Sequence, residues 1–421
     1  MASRFAIVAA ICALFQALPA MTLIPDRYKV LGAGIFSLVL ALGVARFSYT
    51  PLLPLMQQQA GLGVAEAGWL AAINYVGYLS GALAASLIGD VVLKDRLYRL
   101  GMVGAVLTTA MMGMTTDPTV WAVSRYFAGL SSAAGLLLGT GLILNWLIRR
   151  DHRSELGIHF SGIGLGIAGS AVAVELMNRW QLDWHEQWYA LTAAGCVLLL
   201  PALAWLPAPD RSTVTQSGRV MQDAPPSPIF QRLFMAAYFC AGVGYVVSAT
   251  FIVAVVDQLP RLGGHGTLVF LFIGLGAAPA SMLWDLIARR TGEINALILA
   301  AVLQVAGILL PVLGNGLFLA LCGAVLFGAT TVGLVSLVLT MAGRYYPTRP
   351  AKMMGKMTLS YGIAQVIAPA VTGSLATYLG GYRAGLYLAA AVMVVGALLF
   401  GLLRVVDART RVGMQAVKGG H

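Results

Sequence analysis

Carboxylates are scarce in this chain. Its 421 residues include 16 Asp and Glu against 27 Lys and Arg, and charged residues of both signs make up only 10%. Soluble domains carry about 25% charged residues, so an aqueous globule is excluded. Cysteine is also sparse: Cys12, Cys196, Cys240 and Cys322 stand singly inside apolar runs with no CxxC spacing. They read as small core residues, and no metal motif can be built from them. The five histidines (His152, His159, His185, His265, His421) form no HxxxH pair and have no acid in register. A membrane-embedded enzyme would need such a catalytic cluster. No enzymatic activity, cofactor or metal is therefore expected. The glycine string GIGLGIAG (162–169) follows no strand, so it fails the context test for dinucleotide binding and reads as helix-packing surface.

What is present is hydrocarbon. Hydrophobic residues make up 59% of the chain, and a span needs about 20 mostly apolar residues. That criterion predicts twelve transmembrane helices, within 30–56, 67–89, 98–116, 119–148, 154–177, 187–206, 231–256, 266–288, 294–313, 316–342, 353–378 and 384–405. Breakers such as Asp117-Pro118, Gly314-Asn315-Gly316 and Tyr346-Pro347 mark the boundaries. The polar stretch PAPDRSTVTQSGRVMQDAPPSP (207–228) reads as a linker, placing six-helix bundles at 30–206 and 230–406, a linker at 207–229 and a tail at 407–421. Residues 1–29 form a leader outside these bundles. Its apolar run FAIVAAICALFQALPAMTLI (5–24) is readable as a signal-like segment, an extra helix, or translation begun upstream of Met21.

The formal charge of +11 invites a nucleic-acid reading, but the basic residues sit in short clusters between apolar runs. Alternate loops hold Lys94, Arg96 and Arg99; Arg149, Arg150 and Arg153; Arg211 and Arg219; Arg289 and Arg290; and Arg344, Arg349, Lys352 and Lys356. The positive-inside rule explains this and predicts a cytoplasmic linker and C-terminus, with the bilayer rather than nucleic acid as the partner surface. The two halves also echo each other. GVARFSYT begins at Gly43 and GVGYVVSAT at Gly242, the second and eighth spans end at Asp90 and Asp285, and NWLIRRDHRSELG (145–157) is matched by MAGRYYPTRPAKMMG (341–355). A shared spacing near 195–199 residues signals a parallel duplication.

Twelve spans, the duplication and a central linker resemble the major facilitator superfamily over roughly residues 30–405. GDVVLKDRLYR (89–99) and WDLIARRTG (284–292) are similar to its helix 2–3 signature and that signature's second-half copy. RYFAGLSSAAG (125–135) is similar to its helix-four motif, and ARFSYTPLLPLM (45–56) to the first helix of a bacterial branch. The resemblance implies an all-α, 6+6 pseudo-symmetric fold working by alternating access. It also implies a cavity lined by the first, second, fourth and fifth spans and their counterparts.

One charge stands out. Arg46 is the only charged residue between Val30 and Met56, and an arginine near the bilayer centre costs about 2.5–3.5 kcal/mol on insertion scales. It reads as an anion grip, because a guanidinium holds a carboxylate bidentately. The competing reading has it bind carbonyls freed by Pro51 and Pro54. Helical spacing places Tyr49 on its face. Arg125 divides evenly between a substrate role and packing or coupling. Asn74 and Tyr78, Tyr238 and Tyr245, and Tyr361 and Gln365 are paired at helical spacings on expected cavity helices, where interhelical glue is the competing role. No acid falls at a midplane, which favours an anionic solute over a cationic drug. Proton coupling would fall to His159 or Glu175, or to the solute itself. Asp90 with Arg96, and Asp285 with Arg289, are placed to gate the halves. The expectation is a monomeric secondary transporter of a small, carboxylate-like organic anion in a bacterial inner membrane. Efflux of drugs or toxic metabolites is the alternative.

Overall fold

A computed structural model describes residues 25–153, 156–212, 214–257, 266–313, 316–379 and 383–418. They form twelve helices: α1 Asp26–Gln59, α2 Val64–Leu87, α3 Val91–Met114, α4 Pro118–Arg149, α5 Gly157–Arg179, α6 Trp184–Ala204, α7 Pro228–Asp257, α8 Gly266–Thr291, α9 Glu293–Leu313, α10 Leu317–Tyr345, α11 Pro350–Leu379 and α12 Arg383–Lys418. Eleven carry a stretch long and apolar enough to cross a bilayer, and α11 packs along α2 and α7. Extended pairing among the described residues is limited to one bridge, Val214 with Val220, in the linker.

The starts of these helices follow from their sequences. Asp117 caps α4 by accepting the Thr119 N–H at 2.7 Å, with Pro118 at the first helical position. Asp183 and Glu186 form a reciprocal capping box at α6, at 2.8 and 3.1 Å. Two boundaries differ from the sequence expectation. Asp26 to Lys29, assigned to the leader, belong to α1, whereas residues 1–24 lie outside the described residues. The tail expected from 407 is helical to Lys418, because no proline interrupts DARTRV and the first glycine comes only at Gly413.

Within a bilayer, helices gain little from burying apolar surface, so close approach at small residues has to hold them. Gly77 and Gly129 press α2 and α4 together, where an added Cβ would meet the backbone of Tyr126 and Asn74. The two halves meet in the same way, α5 on α8 and α2 on α11. Ser281 donates to the Gly157 carbonyl at 2.7 Å, and a Cβ on Gly355 would lie 2.8 Å from the Ser86 nitrogen. Ser86 and Ser281 are 195 residues apart, and Gly157 and Gly355 are 198 apart. The duplication read in the sequence is thus the symmetry of the seal.

That seal lies at the linker end. There Asn145 donates to the Pro347 carbonyl at 3.2 Å. The linker bridges both halves: the Gln216 N–H meets the Arg149 carbonyl at 2.8 Å, and Asp223 accepts the Thr348 hydroxyl at 2.7 Å. Replacing Gly355 by Val places a Cβ 2.7 Å from the Ala82 carbonyl oxygen, an overpacking expected to cost about 1–3 kcal/mol. Thermal unfolding of the detergent-solubilised protein should show a clear fall in Tm for Gly355→Val. An unchanged Tm contradicts this seal.

Candidate functional site

The site begins with a change in helical winding. From Val39 to Phe47, α1 is wound loosely in π-helical turns, and the Ser48 N–H reaches back five residues to the Gly43 carbonyl at 3.0 Å. A facing stretch of α4, Ala134–Gly139, is loosened in the same way, and Ser132 ties the two helices by donating to the Ala41 carbonyl at 2.9 Å. Such turns recur at functional sites because they re-aim side chains. In the i→i+5 register the partner of the Arg46 carbonyl is Pro51, which has no N–H.

Arg125 meets that deficit. Its Nη1 donates to the carbonyls of Ala45 at 3.2 Å and Arg46 at 3.4 Å, and its guanidinium carbon lies 4.4 Å from the Tyr49 ring centre. Of the two roles considered for Arg46, capping freed carbonyls therefore describes Arg125. Arg46 itself is 8% exposed and surrounded by rings, with Tyr75 and Tyr78 each at 4.8 Å and Phe47 at 5.6 Å. Aromatic faces stabilise a cation by about 0.5–2 kcal/mol each. No carboxylate pairs with it among the described residues.

Arg46 opens onto a cavity between the halves, in which about 80 Å³ is open to the centres of water molecules. The first half contributes Arg46, Phe47 and Tyr78, and the second contributes Tyr238, Tyr245, Phe327, Thr331, Tyr361 and Gln365. The rings form a continuous wall: Tyr238 to Tyr361 is 4.7 Å, Tyr245 to Tyr361 is 5.8 Å, and Tyr245 to Phe327 is 6.3 Å and nearly parallel. The Gln365 Oε1 is buried without a hydrogen-bond partner. A larger hollow of about 450 Å³ lies under the linker, but its Arg149 is already paired with Asp210 at 2.7 Å.

The family model described as "Uncharacterised MFS-type transporter YbfB" matches residues 38–401. The chain belongs to this family of the major facilitator superfamily. It is 24% identical over 359 residues to "Uncharacterized MFS-type transporter YceJ" of Bacillus subtilis strain 168, covering 81% of this chain and 82% of that protein. It is 27% identical over 203 residues to the "Gallate transporter" of Pseudomonas putida, covering 46% of this chain and 42% of the relative. The crystal structure of the human organic anion transporter MFSD10 (TETRAN) shares the fold, with a TM-score of 0.66 at 18% identity over 90% of this chain and all of that one.

In this MFS-type transporter, Arg46, Tyr78, Tyr245, Tyr361 and Gln365 line the cavity together. Others form the layer behind it. Tyr49 donates to the Ala67 carbonyl at 3.0 Å, and Asn74 to the Arg125 carbonyl at 2.8 Å. Tyr49 leaves the Arg46 face because i,i+3 neighbours coincide only at 3.6 residues per turn. His159 is fully buried, its Nε2 2.7 Å from the Thr140 hydroxyl, and is not among the residues lining the cavity. Glu175 pairs with Arg179 at 3.0 Å on the exposed rim away from the linker. The i,i+3 rule applied to Tyr78 would have found Tyr75. Phe327 and Thr331 lie 199 residues beyond Ala128 and Ser132, in the second-half copy of the helix-four motif.

The gate residues separate. Asp285 crosses between halves, its Oδ2 accepting the Gly157 N–H at 2.7 Å at the start of α5. There the helix dipole favours a negative charge. Asp90 instead caps α3 and pairs with the linker's Arg211 at 3.0 Å, while its expected partner Arg96 is exposed. The Arg211 hydrogen bond, then the Val92 N–H, holds the Asp90 carboxyl below its ordinary value. A depressed acid contributes stability above its unfolded pKa and loses it as pH falls through the folded one. This contact therefore persists at neutral pH.

The two arginines should respond differently to loss of charge. Arg125→Met orphans buried carbonyls, at about 1–3 kcal/mol, and should lower Tm. Arg46→Met removes a cation without a counter-ion, so Tm should hold or rise. Differential scanning fluorimetry giving the reverse order would overturn these assignments.

Proposed function

We propose that this transporter moves a small organic anion, carboxylate-like in chemistry, by alternating access about the Arg46 cavity. The observation that carries the reading is a buried guanidinium with aromatic neighbours but, among the described residues, no carboxylate partner, facing a cavity between the halves. A charge so placed is costly unless an anion or water completes its surroundings. The names of two similar proteins, a gallate transporter and an organic anion transporter, agree with this class of solute.

In this reading the protein sits in a bacterial inner membrane, and the positive-inside charge pattern supports a cytoplasmic linker end. The seal at that end then makes this conformation closed to the cytoplasm. The protein works as a monomer without catalytic chemistry. None of the carboxylates among the described residues lines the cavity, so a proton is carried by the weak acid itself. Exchange of one anion for another uses the same geometry.

The aromatic lining also suits a lipophilic drug, so efflux is the reading to test against. Proteoliposomes containing the purified protein should accumulate labelled organic acids and not lipophilic cations. Arg46→Gln should lower the acid flux by at least tenfold while Tm holds. Cation flux without acid flux contradicts the proposal.

A further inference from the structure

We infer that the solute is a planar aromatic monocarboxylate bearing a ring hydroxyl, which rests on the reading of the cavity as the anion site. Charge supplies the first restriction. Arg46 is the one cation among the lining residues, and Arg125 spends its Nη1 on backbone carbonyls behind it. A second carboxylate on the solute would enter the cavity without a partner, and an unpaired buried charge is strongly unfavourable. Di- and tricarboxylates are therefore rejected by the same feature that admits a monoanion.

Shape supplies the next restriction. The wall facing Arg46 from the second half is built of Tyr238, Tyr245, Phe327 and Tyr361, with ring centres 4.7 to 6.3 Å apart. Aliphatic side chains, including Ile163, Ile167 and Ile273, complete the lining. Rings stack in offset or edge-on arrangements at these separations, and a flat ring offers such a wall more contact than a flexible chain at less entropic cost.

Gln365 supplies the last restriction. The residue lines the cavity, its Oε1 is buried without a hydrogen-bond partner among the described residues, and an unmet buried acceptor costs about 1–3 kcal/mol. A phenolic hydroxyl both donates and accepts, so it satisfies this amide in either orientation. Arg46 lies in the first half and Gln365 in the second, so such a molecule touches both halves and is released when they part.

The test is equilibrium binding to the purified full-length protein by titration calorimetry, using 4-hydroxybenzoate, benzoate, cyclohexanecarboxylate and succinate. The expected order is 4-hydroxybenzoate, then benzoate about tenfold weaker, then cyclohexanecarboxylate, with no heat from succinate. Gln365→Leu should erase the difference between 4-hydroxybenzoate and benzoate. Succinate binding as tightly as benzoate, or Gln365→Leu weakening both aromatic acids equally, overturns the inference. The wild-type order alone decides the matter should that variant fail to fold. Arg46→Gln separates the two levels. Succinate binding that Arg46→Gln abolishes leaves the anion site standing and removes only its aromatic specificity. Binding indifferent to Arg46→Gln, or no binding by any acid, removes both.

Discussion

A buried guanidinium with no carboxylate beside it among the described residues is the constraint on which the rest of this structure depends. Insertion of an arginine near the bilayer centre is costly, and proteins commonly relieve that cost with a buried acid. Here the relief comes from rings: Tyr75, Tyr78 and Phe47 pack around Arg46, and a cavity replaces a counter-ion. The positive charge is shielded enough to be held and still faces the cavity. The loosened turns of α1 are the backbone side of the same arrangement, because they aim Arg46 into the cavity and send Tyr49 behind it. Arg125 then serves the backbone those turns leave incomplete, so two arginines on adjacent helices have opposite roles.

The surrounding halves are built to meet and to part. Their closest contacts use glycine, alanine and serine, which give tight backbone approach but little side-chain interlock. Asp285 adds a charged contact across the same seam, on the first N–H of α5. Contacts of this kind are either made or broken, and that suits two discrete states better than a continuous deformation. The linker joins them: it binds Arg149 on one half and Thr348 on the other, and Arg211 draws Asp90 toward itself.

Much of this is legible in the sequence alone, for physical reasons. Twelve predicted spans can fold in few ways, so the helices and the 6+6 duplication are legible from length, charge and spacing. Arg46 was legible because a lone charge in an apolar run is expensive. What stayed hidden depended on departures from regular geometry. Tyr49 was placed beside Arg46 by a 3.6-residue period that α1 abandons at Val39. Asn74 and Tyr78 are equally good cavity candidates at i,i+4, but the Asn74 amide donates to the Arg125 carbonyl instead of lining the cavity. Asp90 was matched with Arg96 by proximity in sequence, whereas Arg211, 121 residues away, is its partner. Gln365 was visible as a polar residue on a cavity helix, but not as an acceptor left unmet.

The most direct test is to locate a bound acid. A crystal of the protein grown with a brominated carboxylate, measured at the bromine absorption edge, should show the anomalous peak in the cavity between Arg46 and Tyr361. Its carboxylate should lie about 2.7–2.9 Å from the guanidinium nitrogens. A peak confined to the hollow beside Arg149 and Arg150, with the central cavity empty, would contradict the account.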